Sequence, residues 1–401
     1  MLNQYDKEQK VCCLVIGGHV NGYSIIQDLY DRGVHRILLL DFIKPIASYS
    51  NKIKQFIQIP ETSIALHEKL VQLNKKFAYI ILFPTADNHI ELLHTLHEKI
   101  KQFCFIPFNN DTIESYLNKS VQYDYCKKLG IPYPKTLVIN YASDFNAIAT
   151  LMFPVLIKPD KRDDITTNIF RNRLIKNADE FKKVTPELNT FLRKGHHFIA
   201  SEMVPGSGDM VFAYVGYRNK NGEIINEWTG KKLSQYPNDF GVFASASNQS
   251  PAIIKEQGRR LLHGMNIFGI AEPEFKYDYR DQHYKLMEIN FRSMMWHRVG
   301  NLSGINLQYT QYCDALGRKV EKQTQNQNQR IHYIFLNHEI ENLFRRKGYC
   351  KIFKTNLFGG EKTFLAIHDW HDPKPLLINY IKIIKFIFFN FISFFFHAKN
   401  N

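Results

Sequence analysis

The sequence predicts an α/β unit followed by an α+β region and a C-terminal amphipathic helix. Three features support this prediction: an apolar run ending in a glycine turn near the N-terminus, strand-like runs with hairpin spacing in the middle of the chain, and a last stretch with apolar and basic residues at helical spacing. The chain has 401 residues, of which 44% are apolar and 22% charged. This length and composition predict two or three globular domains and exclude wholesale disorder.

The beginning of the chain has the pattern of a doubly wound α/β unit. Residues 11–18 form an apolar, β-branched run that ends in glycine, and a helical stretch follows at about 22–33. The next apolar run, 37–40, ends in Asp41. Because strand-like and helical stretches continue to alternate after it, we expect residues 1–110 to form a first domain.

The glycine turn GGHVNG lies where a dinucleotide-binding fingerprint would lie, after a strand and before a helix. Its glycines are Gly17, Gly18 and Gly22, a spacing that differs from G-x-G-x-x-G. Backbone N–H groups at the start of the helix could hold an anion, but a tight turn within the scaffold explains the same residues. We favour the tight turn and keep a nicotinamide-dependent dehydrogenase as an alternative.

After residue 110 the pattern changes to strands in hairpins interspersed with helices, which is typical of an α+β arrangement. We expect residues 111–320 to form a second domain with a hinge near 201–206. Residues 321–375 would form a C-terminal extension, and residues 376–401 a tail.

The tail is the most apolar part of the chain, yet it carries polar residues at helical spacing. At 100° per residue, six of them fall within an arc of about 140°: Asn379, Lys382, Lys385, Asn390, Ser393 and His397. A basic, aromatic-rich helix of this kind either lies in a membrane interface or docks on the protein's own core. Two lysines inside the run disfavour a span across the bilayer, and we expect peripheral contact with the inner membrane.

A formal net charge of +14 is compatible with nucleic acid, an anionic membrane or anionic small molecules as partners. The Lys and Arg residues are spread along the chain without a nucleic-acid-binding motif, so we expect no nucleic-acid partner. The six cysteines form no C-x-x-C pair, and the N-terminus is too polar for a signal peptide. These features predict a cytoplasmic protein.

A predicted hairpin carries the most informative polar side chains. Glu288 and Asn290 share one face of its second strand because side chains alternate, and Glu274 on the first strand is a potential cross-strand neighbour. Arg292 continues the same face. Such oxygen ligands suit Mg²⁺ bound to phosphate oxygens, although a solvated face with ion pairs is the alternative, and Glu272 competes with Glu274 as the ligand.

The hairpin motif LMEINFRS, with EFKYD fourteen residues upstream of its glutamate, resembles the metal-binding hairpin of the ATP-grasp enzymes. The similarity covers about residues 11–318 in order. It is nearest to carboxylate–amine ligases related to D-aspartate ligase, and more distant to biotin carboxylase and carbamoyl phosphate synthase. The resemblance implies a Rossmann-like pre-ATP-grasp domain followed by an ATP-grasp domain.

This resemblance implies a set of ATP-binding residues. Lys119 resembles the basic residue that reaches the nucleotide phosphates, and Lys158 resembles the strand lysine at the α-phosphate. In and after the hinge-like SEMVPG, Glu202 would accept from the adenine amine, the Val204 backbone would bond the ring edge, and Asp209 would meet the ribose hydroxyls.

The catalytic residues and metal ligands also follow from the resemblance. Lys231, in TGKKLSQYP, is similar to the basic residue at the γ-phosphate or acyl phosphate, and Arg292 resembles the arginine that faces the phosphorylated intermediate. Glu274 and Glu288 resemble the metal ligands, with Glu288 bridging two Mg²⁺ ions. Asn290 would complete that shell.

The segment between the strand lysine and the hinge departs from the family pattern. It has the sequence PDKRDDITTNIFRNR, without the glycines of the usual phosphate-covering loop. We expect Lys161 or Arg162 to replace the missing backbone contacts, or the loop to close differently.

The activity implied by the resemblance is an ATP- and Mg²⁺-dependent ligation of a carboxylate to an amine through an acyl phosphate. The partners would be small-molecule carboxylates and amines, such as an amino acid or a surface-polysaccharide sugar acid. Two alternatives stay open: an enzyme of the carboxylase or carbamoyl-phosphate type that uses bicarbonate, and a non-catalytic nucleotide-binding module.

Overall fold

A computed structural model describes residues 10–160, 169–238 and 241–398. The first of three β-sheets contains β1 (Val11–Ile16), β2 (Ile37–Asp41), β3 (Gln55–Gln58), β4 (Tyr79–Pro84) and β5 (Cys104–Phe105). Its order is β3-β2-β1-β4-β5 and all its strand pairs are parallel. The accompanying helices are α1 (Val20–Tyr30), α2 (Ser63–Asn74) and α3 (Asp87–Ile100), with a 3₁₀ turn at Ile46–Tyr49. The predicted α/β unit is therefore confirmed.

The second sheet is small and antiparallel. It follows α4 (Asn110–Tyr116) and α5 (Lys119–Leu129), and its elements are β6 (Thr136–Ile139), β7 (Val155–Pro159), β8 (Arg173–Ile175), α6 (Ala178–Arg193) and β9 (Phe198–Glu202). The strand order is β6-β9-β7-β8.

Two helices, α4 and α5, lie between the first and second sheets and are separated by a break at Asn118. Asn118 has an extended backbone between them, so α5 begins anew at Lys119. The Asp160 carboxylate accepts hydrogen bonds from the Ser120 backbone N–H at 3.0 Å and from its hydroxyl at 2.7 Å. This contact satisfies a free N–H group of the first turn and ties α5 to the end of β7.

The third sheet has seven strands and includes the predicted hairpin. Its strands are β10 (Val211–Arg218), β11 (Ile224–Tyr236), β12 (Val242–Ser247), β13 (Gly269–Asp278), β14 (His283–Asn290), β15 (Ile331–Ile334) and β16 (Lys362–Leu365). The order is β14-β13-β10-β11-β12-β15-β16, antiparallel except for β15 with β16. The segment predicted as an extension thus supplies two strands to this sheet.

The remaining helices accompany the third sheet and end the chain. They are α7 (Ala252–Gly264), α8 (Arg298–Leu302), α9 (Leu307–Ala315), α10 (Leu336–Arg345), α11 (Cys350–Phe358) and α12 (Pro373–Ala398). The first and third sheets share one buried apolar cluster, which contains Leu14 and Ile80 from the first and Tyr214 and Phe275 from the third. This common core fixes the two sheets relative to each other and leaves a cavity beside it.

The C-terminal helix α12 packs on the body of the protein through one side. Leu376, Asn379 and Ile383 are buried, and the helix contacts the 3₁₀ turn at Ile46–Tyr49. The body covers Asn379, which is one of the six polar residues that share one arc of the tail helix. Within the described ranges, none of the helices combines the length and apolar character that a transmembrane span requires.

Candidate functional site

A cavity of about 480 Å³ is lined by residues from all three sheets. The first sheet contributes its glycine turn and the residues after β4, and the second sheet contributes Lys158 and the end of β9. The predicted site residues that line this cavity are Lys119, Lys158, Glu202, Val204, Glu274, Glu288 and Arg292. Residues that are 173 positions apart in the chain therefore meet in one concave site, which is the usual setting of a binding site for a small molecule.

The hairpin brings its acidic residues together, and a β-bulge between Glu274 and Phe275 sets the register that does so. Glu274 lies directly opposite Glu288, and Glu272 lies opposite Asn290. Glu272, Glu274 and Asn290 are buried. Burial raises the pKa of Glu274, the nearby Lys232 opposes that shift, and the carboxylates of Glu288 and Glu272 add to it. Concentrated negative charge in a buried place attracts a cation.

Lys232, rather than Lys231, faces these carboxylates. The Lys232 ammonium is buried and forms an ion pair with the Glu274 carboxylate. Burial by itself would lower the pKa of Lys232, but the carboxylates of Glu274 and Glu272 outweigh it and the pKa is raised. Because neighbours in a strand point to opposite faces, Lys231 lies on the other side, 5.7 Å from the centre of the Phe212 ring.

The predicted residue Asn290 lines a smaller adjoining cavity together with Lys119 and Glu288. Its side-chain nitrogen has no hydrogen-bond partner among the described residues, and the same is true of the Glu272 Oε1 atom. The other carboxylate oxygen of Glu272 contacts the Nε2 atom of the buried His297. One carboxylate oxygen of Glu272 is therefore bonded to His297, whereas Glu274 and Glu288 line the main cavity.

Lys158 and Lys119 meet at the other wall of the cavity. Burial lowers the pKa of Lys158 to about 8, the carboxylate of Glu288 opposes this shift, and the charge of Lys119 reinforces it. Two half-buried cations repel each other, and an anion that binds between them lowers this electrostatic repulsion. Lys119 is held there because it begins α5, next to Asp160.

Arg292 is positioned by a residue of helix α3, which follows β4 of the first sheet. Its Nε atom donates to the Asp87 carboxylate at 2.6 Å, at the start of α3. Burial lowers the pKa of the Arg292 guanidinium to about 10, and Glu288 and Glu272 counteract that shift. The group stays charged near neutral pH and points a fixed cation at the cavity.

The predicted hinge lines the cavity with Glu202, Met203 and Val204, while Asp209 is not part of that lining. One oxygen of Glu202 accepts from the Met152 backbone N–H at 2.9 Å. Asp209 bonds the hydroxyl of its neighbour Ser207 within a 3₁₀ turn. The predicted loop residues Lys161 and Arg162 lie outside the described residues.

The glycine turn of the first sheet is shaped by internal packing. Gly17 has a φ of +91°, and a Cβ there would lie 2.1 Å from the Thr85 hydroxyl oxygen. A Cβ on Gly22 would lie 1.9 Å from the Gly17 carbonyl oxygen, and the Gly18 N–H donates to Asp41 at 2.7 Å. These glycines are required by the scaffold itself, and the tight-turn interpretation accounts for them without a dinucleotide.

Sequence reasoning missed two residues of the site, Lys232 and Asp87. The sequence TGKKLSQYP predicted a basic strand, and the catalytic role was assigned to Lys231. Sequence alone does not determine which of Lys231 and Lys232 faces the cavity. The strand register determines which lysine faces the cavity. Gly230 and Glu274 both pair with Ala213 of β10, so these residues lie on the same face of the sheet. Lys232 is two residues after Gly230 and therefore shares that face with Glu274. Asp87 contacts the site from more than two hundred residues away, for which the sequence carries no signal.

The architecture matches that of solved structures over most of the chain, whereas no family model matches it. N5-carboxyaminoimidazole synthetase from Staphylococcus aureus in complex with ADP is 17% identical, with a TM-score of 0.63, over 83% of this chain and 85% of the other. An L-amino acid ligase from Bacillus licheniformis is 12% identical, with a TM-score of 0.59, over 79% of each chain. Biotin carboxylase from Campylobacter jejuni is 11% identical, with a TM-score of 0.60, over 78% of this chain and 73% of the other.

The chain has the ATP-grasp fold. It is also similar in sequence to a D-aspartate ligase from Enterococcus faecium, with 24% identity over 261 residues. That alignment covers 62% of this chain and spans 61% of the length of the ligase. The resemblance noticed in the hairpin motif is therefore confirmed at the level of the ATP-grasp fold and of similarity to this ligase.

The donor set of this site fits Mg²⁺. Glu274 and Glu288 face each other on neighbouring strands, and carboxylate oxygens are the ligands that Mg²⁺ prefers. Burial and like charge raise the pKa of Glu274, so a divalent cation would relieve the repulsion between the two carboxylates. In the described part of the chain, no group of three or more His, Cys, Asp or Glu side chains is arranged to hold a metal ion.

Proposed function

We propose that this protein is an ATP- and Mg²⁺-dependent ligase that joins a carboxylate to an amine through an acyl phosphate. The observation that carries the proposal is the convergence of Glu274 and Glu288 with the cations of Lys232, Lys158 and Arg292 in one cavity. Phosphoryl transfer needs neutralised charge and fixed positions more than it needs a nucleophile from the protein. The similarity to a D-aspartate ligase, which spans 61% of that protein, supports the same class of reaction.

We propose that ATP lies along the cavity from the hinge to the hairpin. Val204 would bond the adenine ring edge through its backbone, and Glu202 would accept from the adenine amine. Lys158 and Lys119 would bind the phosphates, since their ammonium groups repel each other without an anion. The role first assigned to Asp209 at the ribose is the least supported of these, because Asp209 lies outside the cavity lining.

Glu274 and Glu288 would hold two Mg²⁺ ions, with Glu288 bridging them and Asn290 completing the shell. When bound, Mg²⁺ supplies neutralisation of the charge on the phosphate oxygens. Lys232 forms an ion pair with Glu274 and would contact the transferred phosphoryl group. We therefore assign to Lys232 the catalytic role that the sequence assigned to Lys231.

The reaction balances with the groups of the two substrates and ATP. An oxygen of the substrate carboxylate attacks the γ-phosphorus of ATP, the bond to the ADP oxygen breaks, and an acyl phosphate forms. The neutral amine then attacks the acyl carbon, inorganic phosphate leaves with that oxygen, and the nitrogen loses a proton. Arg292, fixed by Asp87, would stabilise the negative charge of the acyl phosphate and of the tetrahedral intermediate.

The substrates are proposed at the level of chemical class. We propose a small carboxylate and a small amine, with an amino acid or a surface-polysaccharide sugar acid as the acceptor. The protein would act in the cytoplasm, with peripheral contact to the inner membrane through α12.

Mg²⁺-dependent ADP release tests the proposal. Purified protein would be screened against amino acids, uronic acids and bicarbonate, alone and with amines. ADP that forms only with particular carboxylate–amine pairs supports the ligase, and mass spectrometry would identify the amide. ADP release with bicarbonate alone would favour a carboxylase. If the protein binds MgATP by calorimetry but releases no ADP with any pair, a binding module is favoured.

A further inference from the structure

The C-terminal helix α12 presents an apolar surface to solvent on the side that does not dock. We define the apolar stripe as Leu377, Ile381, Ile384 and Phe388. At 100° per residue these four residues fall within an arc of about 60°. Each is between 51% and 64% exposed, and the adjacent Phe389 is 67% exposed. A stripe of this size on a surface helix marks an interaction site.

Lysines lie beside the stripe on the same exposed side of the helix. Lys374, Lys385 and Lys382 are exposed and begin about 20° beyond the edge of the stripe. Between positions 345 and 389 the chain has nine Lys and Arg residues against three Asp and Glu residues. Of these three acids, Asp372 is buried and Asp369 pairs with Lys52. The charge exposed around the stripe is therefore strongly positive.

Neighbouring elements continue this surface. Phe344, at the end of α10, is 40% exposed and contacts Phe386 of α12 with ring centres 5.8 Å apart. The next helix, α11, exposes the apolar Ile352 and Phe358, and it exposes lysines as well. Apolar and basic side chains thus recur together over α10, α11 and α12.

The orientation of α12 is fixed by hydrogen bonds to helix α1 and to the segment after the 3₁₀ turn at Ile46–Tyr49. The Asp372 carboxylate, one residue before the helix, accepts from the Tyr23 hydroxyl at 3.1 Å and from the Asn51 N–H at 2.9 Å. The Tyr380 hydroxyl contacts the Nδ1 atom of His368 at 3.1 Å. The helix is therefore held in place as part of the body and not as a free tail.

The helix also lies near the main cavity. It packs on the 3₁₀ turn at Ile46–Tyr49, and Ile43, three residues before that turn, lines the cavity while 69% exposed. Burial lowers the pKa of the cavity-lining His19 to about 4, and the charges of His338 and Lys382 contribute to this shift, which agrees with α12 lying on this side of the cavity. Whatever binds α12 is consequently brought to this side of the cavity.

We propose that the apolar stripe and its lysines bind the surface of an anionic lipid bilayer and hold the cavity beside that surface. An apolar helix face buried at the level of the headgroups, with lysines toward anionic lipid, is the pattern that binds such surfaces. A second copy of the chain is the alternative partner for the apolar stripe. It would cover the apolar side chains, but the positive charges of the two copies would then meet across the interface and repel each other. This location deepens the proposed ligase function and can fail independently of it.

Vesicle co-sedimentation of the full chain tests the proposal. Vesicles of phosphatidylcholine with about one-third phosphatidylglycerol would be compared with phosphatidylcholine alone. The protein is expected to bind the anionic vesicles and to be released by high salt. The variant Ile381→Ser/Ile384→Ser/Phe388→Ser should bind them at least about tenfold more weakly. Ile64→Ser, at an apolar position on α2 that is 71% exposed, should bind as the parent does.

Absence of binding to anionic vesicles, or equal binding by the stripe variant, would overturn the proposal. If the protein sediments as a dimer that the stripe variant converts to a monomer, without vesicle binding, a second copy covers the stripe instead. Should the triple variant misfold, Lys382→Glu/Lys385→Glu, at exposed positions, must still weaken binding to anionic vesicles. ADP release with soluble substrates should be unchanged in these variants. That result would separate the test of membrane binding from the test of the ligase proposal.

Discussion

Lys232 on β11 and Glu274 on β13 form a buried ion pair across strand β10, on the face of the third sheet that lines the cavity. The intervening residue of β10 is the small, buried Ala213, which pairs with Glu274 and with Gly230. The lysine thereby reaches over one strand to the acidic pair. This geometry assigns different roles to two adjacent lysines.

The substitution Lys232→Met should lower kcat for ADP release at least about 10²-fold, because a buried cation at the phosphoryl group would be lost. Lys231→Met should change kcat less than about threefold, since Lys231 lies over the Phe212 ring on the opposite face. Steady-state kinetics of the two variants, with folding checked by circular dichroism, gives the comparison. The reverse order of effects would show that the inward lysine is misassigned.

Replacing the bridging carboxylate should remove most of the activity. Glu288→Gln keeps the shape of the side chain but removes a charge opposite Glu274, and we expect kcat to fall at least about 10²-fold with a higher requirement for Mg²⁺. Glu98→Gln is the matched control, because that glutamate is exposed on α3. A Mg²⁺ titration of ADP release that is identical in the parent and in Glu288→Gln would argue against metal binding at this pair.

The affinity for MgATP should depend on pH through Lys158. Burial lowers the pKa of this lysine to about 8, so the group is an ammonium at pH 7 and mostly a neutral amine at pH 9. Phosphate binds the ammonium form, and the Kd should therefore rise about tenfold from pH 7 to pH 9. Lys158→Arg stays charged over this range, and its Kd should be nearly constant. Calorimetry that finds the same pH dependence in both proteins would exclude Lys158 as the cause.

Asp372 should stabilise the fold through its contacts with helix α1 and with the segment after the 3₁₀ turn at Ile46–Tyr49. The substitution Asp372→Ala leaves the donors on Tyr23, Ser50 and Asn51 without their acceptor. We expect the free energy of unfolding to fall by about 3 kcal/mol in urea denaturation. Asp179→Ala, at an exposed position on α6, should leave it within about 0.5 kcal/mol. Equal stability of the Asp372 variant and the parent would mean that these bonds do not hold α12.

The glycine turn should prove structural. Gly17→Ala places a Cβ 2.1 Å from the Thr85 hydroxyl oxygen at a φ of +91°, so the variant should lose stability by about 2 kcal/mol or more. Gly33 also has a positive φ, but open space surrounds it, so the loss of stability in Gly33→Ala should be smaller. Similar losses in the two variants, measured by thermal unfolding, would mean that packing around Gly17 is unimportant.

The parts of the fold that local pattern determines could be predicted from the sequence. The buried runs of β1 and β2 are continuously apolar, as parallel strands covered on both faces are. The alternation in the hairpin correctly placed Glu288 and Asn290 on one face, whereas the pairing of Glu274 with Glu288 depends on a β-bulge that the sequence pattern did not predict. These predictions need only the period of the chain and the residue types within a few positions.

Features that depend on distant contacts could not be predicted in this way. The choice between Lys231 and Lys232 depends on how β11 pairs with β10, and Arg292 is positioned by Asp87 at the start of helix α3. The docked side of α12 depends on the 3₁₀ turn at Ile46–Tyr49, which buries the polar Asn379. A helical wheel alone ranks such a residue as solvent-facing.

Transfer of oxygen from the substrate carboxylate to phosphate tests the proposed reaction most directly. The carboxylate of a substrate pair found in the ADP-release screen would be labelled with ¹⁸O, and the inorganic phosphate would be analysed by mass spectrometry. An acyl phosphate predicts that one carboxylate oxygen appears in each phosphate formed with an amide. Amide and ADP formation with unlabelled phosphate would contradict the acyl-phosphate route and with it the assigned roles of Lys232 and Arg292.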